Sequence, residues 1–180
     1  IMEIKEEVEA DPDSFSEVAK AKSEDPSAKS NGGDLGYFTS LQMVYPFETA
    51  AYNTEVGEIS GPVRTRFGYH LVKVNDRRDA RGQVKVAHIM IRSEESDPED
   101  VKASLKRRAM EVYQKLENGS DFNELARKFS DDRSSAAKGG ELPAFGTGKM
   151  VEEFEEAAFA LTEPGEYTEP VKSAYGWHII

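Results

Sequence analysis

Residues 121–142 read DFNELARKFSDDRSSAAKGGEL, and residues 15–35 read FSEVAKAKSEDPSAKSNGGDL. The two stretches align at an offset of 107, with Phe15, Glu17 and Ala19 on Phe122, Glu124 and Ala126. Asp25, Ser27, Gly32, Gly33 and Leu35 likewise fall on Asp132, Ser134, Gly139, Gly140 and Leu142. Further along, Met43-Val44, Phe47-Glu48 and Ala50-Ala51 match Met150-Val151, Phe154-Glu155 and Ala157-Ala158. One extra residue near Leu161 moves the offset to 108, at which Gly57-Glu58, Pro62-Val63, Gly68 and His70 match Gly165-Glu166, Pro170-Val171, Gly176 and His178. A repeat this long is a domain, not a solenoid unit. Two tandem domains are therefore expected, at 1–75 and 85–180, joined by a charged linker over 76–84.

The second copy is the more complete. Val84 to Ile91 is a largely apolar run that reads as a buried strand. An acidic loop follows, with Pro98 at a plausible first helical position. Val101, Leu105, Ala109, Val112 and Leu116 recur at helical spacing over Glu99–Glu117, and Asn118-Gly119 ends that helix. Ser120 or Asp121 caps a second helix carrying Phe122, Leu125, Ala126 and Phe129. Glu152 to Ala160 forms a short helix, and Glu163-Pro164-Gly165 turns the chain into a hairpin of Val171 and His178-Ile179-Ile180. In the first copy, residues 1–10 align with the tail of the long helix, so its opening strand is missing. The chain begins and ends mid-pattern and reads as part of a longer one.

Composition limits the function classes. The formal net charge of −11 argues against nucleic acid as the main partner, because a phosphate backbone selects clustered Lys and Arg. No apolar run approaches the roughly 20 residues of a membrane span, so no membrane insertion is expected. There are no cysteines, which excludes a disulfide framework, a thiolate nucleophile and a Cys-based zinc site. Gly146-Thr147-Gly148-Lys149 is a poor phosphate loop, since Pro143 sits where the first Gly belongs and Met150 replaces the Ser or Thr. The acidic clusters lack the ordered spacing of a calcium loop. No metal and no cofactor are expected.

The order and spacing of AHIMI (87–91), DFNELARKFSDDRSSAAKGGEL (121–142), GKMVEEFEEAAFAL (148–161) and EPVKSAYGWHII (169–180) resemble the parvulin family of peptidyl-prolyl isomerases. The first copy resembles it through 15–38 and through GPVRTRFGYHLVKV (61–74). The resemblance implies an α+β fold of two parvulin-like (FKBP-like β-α3-β-α-β2) domains in tandem, the first without its opening strand. It implies that His88 and His178 lie back to back in the sheet, with His70 as the lone counterpart in the first copy. Asp132 and Asp25 fall on the family's acidic or thiol position, and Ser173 and Thr65 on a hydroxyl site beside the last histidine. Leu142, Met150 and Phe154, with Leu35, Met43 and Phe47 in the first copy, fall on the apolar wall that receives a proline ring. Tandem units further resemble SurA-like folding factors, which implies a periplasmic or otherwise extracytoplasmic location and unfolded, proline-containing chains as partners.

These residue types suit the chemistry. Turning an X-Pro bond needs no nucleophile, only a grip on the ring, a desolvated amide and an environment that favours the twisted form over a barrier of roughly 20 kcal/mol. An apolar wall beside a fixed polar network supplies both. Plain packing also accounts for Met150 and Phe154 four apart on a helix, and two histidines can simply satisfy one another; repeat and resemblance together favour the pocket. The loop Arg92-Ser93-Glu94-Glu95-Ser96-Asp97 has one Arg among acids and would repel a phosphate, so unphosphorylated substrates are expected. Turnover is expected mainly from the second copy. A chaperone role, holding extended chains in the same clefts without turnover, is the competing expectation.

Overall fold

In the computed structural model, which describes all 180 residues, the chain divides into units 1–80 and 81–180. Unit 1 contains helices α1 (Met2–Ala10), α2 (Phe15–Lys22), α3 (Ala28–Asn31) and α4 (Tyr45–Asn53), with a 3₁₀ turn at Pro12–Ser14. It closes with a hairpin of β1 (Val63–Thr65) and β2 (Gly68–His70). Unit 2 runs β3 (Ile89–Arg92), α5 (Glu99–Glu117), α6 (Phe122–Phe129), α7 (Arg133–Ala136), α8 (Glu152–Ala160), β4 (Val171–Ser173) and β5 (Gly176–Ile179). No helix is long and apolar enough to cross a membrane.

The sheet of unit 2 is antiparallel in the order β3-β5-β4, with Ile89 opposite Ile179 and Met90 opposite His178. Side chains alternate across a strand, so β5 sends Ile179 to one face and His178 and Ile180 to the other. Ile179 and Ile89 pack with Val112, Leu116, Leu125 and Ala126 of α5 and α6. Ile180 packs with Phe145, Phe154 and Ala158 beneath α8. The short helix thus covers the histidine-bearing face.

Three local expectations are corrected. The apolar run from Val84 is broken: only Ile89–Arg92 forms a ladder, while Val84 and Ala87 make isolated bridges to Phe145 and Glu141. The strand that the β-α3-β-α-β2 pattern places between the third and fourth helices is reduced to those bridges, tied by Leu142 N–H to Val86 C=O at 2.9 Å. Gly140 permits the approach: it has φ +87°, and a Cβ there would lie 2.3 Å from the His88 carbonyl. On α5 the buried stripe is Ala109, Val112 and Leu116, whereas Val101, in the first turn, is exposed. Pro98 stands at the N-cap position, one residue before the first helical position expected for it, and the Asp121 carboxylate accepts the Glu124 N–H to cap α6.

In unit 1, β2 pairs only with β1. Residues 34–39 form no strand. Residues 76–84 are anchored at both ends. Arg77 Nη2 donates to the carbonyls of Ala51, Tyr52 and Thr54 at the end of α4, and Arg81 pairs with α8.

Candidate functional site

The His88, Asp132, Ser173 and His178 side chains converge under α8. Asp132 caps α7, accepting from Ser134 N–H at 3.0 Å and Ser134 Oγ at 2.6 Å. Its other oxygen, Oδ2, lies 2.5 Å from Ser135 Oγ and 2.9 Å from His88 Nε2. The turn is held by its neighbour: Asp131 N–H donates to Met90 C=O at 2.7 Å, and the Asp131 carboxylate takes a bidentate pair from Arg108 at 3.0 Å. Burial pushes the Asp132 carboxyl up, but the bonds from Ser134, Ser135 and His88 outweigh it and hold the group well below the usual carboxylate range.

An ionised carboxylate only accepts, so His88 donates to Asp132 from Nε2, and in that tautomer its Nδ1 is an acceptor. His178 Nδ1 lies 3.4 Å from it and donates. His178 Nε2 then accepts the Ser173 hydroxyl at 2.8 Å, and Ser173 Oγ accepts Tyr175 N–H at 3.1 Å. The two imidazoles stack with 13° between planes. Burial, then His88 and Lys172, push His178 down to about 4, so it is neutral at physiological pH.

Phe154 sits edge-on to both rings, at 5.5 Å from His88 and 5.2 Å from His178. It is only 3% exposed and belongs to the core, while Leu142 and Met150 are half-buried beside it. Of these three residues, Leu142 and Met150 are the more accessible.

Unit 1 repeats half of this arrangement. Thr65 Oγ1 lies 2.7 Å from His70 Nε2, and Phe47 sits edge-on to His70 at 5.5 Å. Asp25 is bound by Ser27 N–H and Oγ at 2.9 and 2.8 Å, and those bonds hold its carboxyl below its ordinary value. The second serine is replaced by Ala28, and His70 is the sole histidine of residues 1–80. Leu35 is 45% exposed, while Met43 and Phe47 are half-buried. No group of His, Asp or Glu side chains is arranged to hold a metal.

Two residues escaped the sequence reading. Ser135 adds the shortest bond to Asp132. Glu155 is a buried acid, 5% exposed, that receives Arg81 Nη2 at 2.8 Å and Gly148 N–H at 2.8 Å. The recurrence of Phe-Glu at 47–48 and 154–155 was its signal.

Two family models described as PPIC-type PPIASE domain match the chain, one over residues 1–76 and one over 73–180. A protein named Chaperone SurA from Pseudomonas fluorescens is 36% identical over 99% of this chain and 42% of its own length. Another Chaperone SurA, from Methylococcus capsulatus, is 39% identical over 92% of this chain and 36% of its own. The chain thus spans about two fifths of the length of these curated relatives. Among solved structures, the peptidylprolyl isomerase PrsA of Bacillus cereus is 42% identical over 54% of this chain and 33% of its own, with a TM-score of 0.45. The matches over both copies of the repeat show that the chain belongs to the PPIC-type peptidyl-prolyl isomerase (parvulin) family, as two α+β domains in tandem.

Proposed function

We propose that the chain catalyses cis-trans isomerisation of unphosphorylated X-Pro bonds in unfolded polypeptides, and that unit 2 carries most of the turnover. The observation that carries this reading is the half-buried wall of Leu142 and Met150 over Phe154, set against the Asp132–His88–His178–Ser173 network. The wall receives the prolyl ring and sheds water. The network is fully bonded and presents fixed dipoles to the amide as it loses resonance. Asp132 acts electrostatically through His88 rather than as a nucleophile. Its lone pairs are already engaged by two serines and a histidine.

The acidic loop supports an unphosphorylated substrate. Lys102 is paired with Glu99 at 3.1 Å and Glu95 at 3.4 Å, and Arg108 with Asp131, so these nearby cations are already neutralised. An extracytoplasmic location is what the resemblance to SurA-like folding factors implies for the chain. Proline-limited refolding of a slow-folding protein tests the reading. Acceleration by the chain, lost in Asp132→Ala, is expected; no acceleration by the intact chain would refute it.

One observation favours a holding role alongside turnover. Unit 1 leaves Leu41, Tyr45 and Phe67 at 91%, 77% and 69% exposure, a set of large apolar side chains available to extended chains. Suppression of aggregation that survives Asp132→Ala and Met150→Ala would assign that role to a surface other than the isomerase cleft.

A further inference from the structure

We infer that Arg81 and Glu155 are a positioning pair, which fixes the loop 146–151 and thereby aims Met150 at the substrate. The inference rests on the isomerase reading of the wall that Met150 lines. Glu155 stands next to Phe154 on α8, yet its side chain serves the loop before the helix. Oε2 accepts Gly148 N–H at 2.8 Å, two residues ahead of Met150, where the backbone is left-handed at φ +75°. Oε1 takes Arg81 Nη2 at 2.8 Å, while Arg81 Nη1 reaches Glu156 Oε2 at 2.8 Å. The guanidinium also lies 4.3 Å over the Phe159 ring. A planar fork that pairs two acids and stacks on an aromatic is a role Lys cannot fill.

Arg81 is itself held in place. Val84 and Phe145 exchange two backbone hydrogen bonds, at 2.9 and 3.0 Å. A Cβ on Gly146 would lie 3.0 Å from the Gly82 carbonyl. Segment 81–84, loop 145–148 and α8 therefore close a ring around one buried carboxylate. A buried acid with this many fixed partners is costly to strand, so the ring has one stable arrangement.

The first unit repeats the device. Glu48, the counterpart of Glu155, accepts Leu41 N–H at 2.7 Å, and Leu41 is the counterpart of Gly148. Leu41 is the one non-glycine residue in the chain with positive φ, at 69°, and it is 91% exposed. Packing does not hold a leucine in that conformation; the carboxylate does. Met43 follows two residues later, as Met150 follows Gly148. Two copies with different residues at the turn keep the same acid-to-backbone bond before the same methionine.

The test uses the whole chain with methyl-labelled methionine, carrying Glu155→Gln, Arg81→Ala or the milder Arg81→Lys. Each variant should move or broaden the Met150 methyl resonance while leaving Met43 and Met110 in place. Each should also lower kcat/KM for a prolyl peptide about fivefold or more, chiefly through KM, because the wall is misaimed while the histidine network is intact. If Arg81→Lys, folded by its spectrum, leaves the Met150 resonance and KM unmoved, the pair is merely structural and the inference fails. If the wild-type chain shows no turnover, the isomerase reading falls; the Met150 resonance still decides whether the pair positions the loop.

Discussion

Asp132 Oδ2 lies 2.9 Å from His88 Nε2 and 2.5 Å from Ser135 Oγ, so a single carboxylate oxygen ties helix α7 to the sheet. Asp25 stands at the same place in unit 1 but keeps only Ser27, because Ala28 replaces the second serine and His70 is that unit's only imidazole. The two units share a framework and differ in how far their polar chain extends.

Asp132→Asn replaces an acceptor with a group that also donates, which breaks the directed chain through His88 to Ser173. Turnover in a prolyl-peptide assay is expected to fall on the order of tenfold to a hundredfold. Asp25→Asn should change it less than about twofold. Mass spectra taken during turnover should show unmodified Asp132, since the carboxylate forms no covalent bond.

Acid should weaken unit 2 in two stages. His178 is buried and neutral, with its pKa pushed down to about 4, whereas an unfolded histidine titrates near about 6.5. Between those values the unfolded chain binds a proton that the folded chain refuses, so stability falls as pH drops through that window, by about 3 kcal/mol. Asp132 adds a second loss below the ordinary carboxylate range, because its folded pKa is depressed and protonation breaks its bonds. Urea unfolding at pH 7, 5.5 and 4 should show the slope, and His178→Gln should flatten its upper part. An unchanged slope in that variant would assign the effect to another group.

Gly176 and Gly68 have nearly the same φ, +133° and +134°, but different surroundings. A Cβ at Gly176 would lie 2.2 Å from the Ile91 carbonyl and 2.7 Å from Ser93 N, whereas at Gly68 nothing lies within 4 Å. Gly68→Ala should cost about 1–3 kcal/mol from backbone conformation alone. Gly176→Ala should cost visibly more, because β3 must also move away from β5. Thermal unfolding of the two variants measures the difference, and equal costs would mean that β3 is not seated as described.

Much of this was legible before any coordinates. Three of the four helices of unit 2, α5, α6 and α8, were legible, since the 3.6-residue periodicity of Val112 and Leu116 and the caps at Asp121 and Asn118 are local signals; the four-residue α7 was not. The polar residues were legible as types in register, because His70 and His178, and Asp25 and Asp132, recur at fixed offsets. What escaped was set by tertiary contacts. Val84 to Ile91 looks like one strand, but its first half faces the loop at Phe145 and only its second half finds β5. Val101 keeps the helical period yet stays exposed. Glu155 reads as one more surface acid until Arg81 and Gly148 are seen to close on it. Phe154 reads as pocket lining, and its 3% exposure is set by the packing of Phe145, Ala158 and Ile180 around it.

The most direct measurement inactivates one unit at a time in the whole chain, by Asp132→Ala with Met150→Ala, or by Asp25→Ala with Met43→Ala, and follows proline-limited refolding. The first pair should remove most of the acceleration and the second should leave most of it. Equal losses, or a greater loss from the second pair, would contradict the assignment of the working site to the Asp132–His88–His178 network.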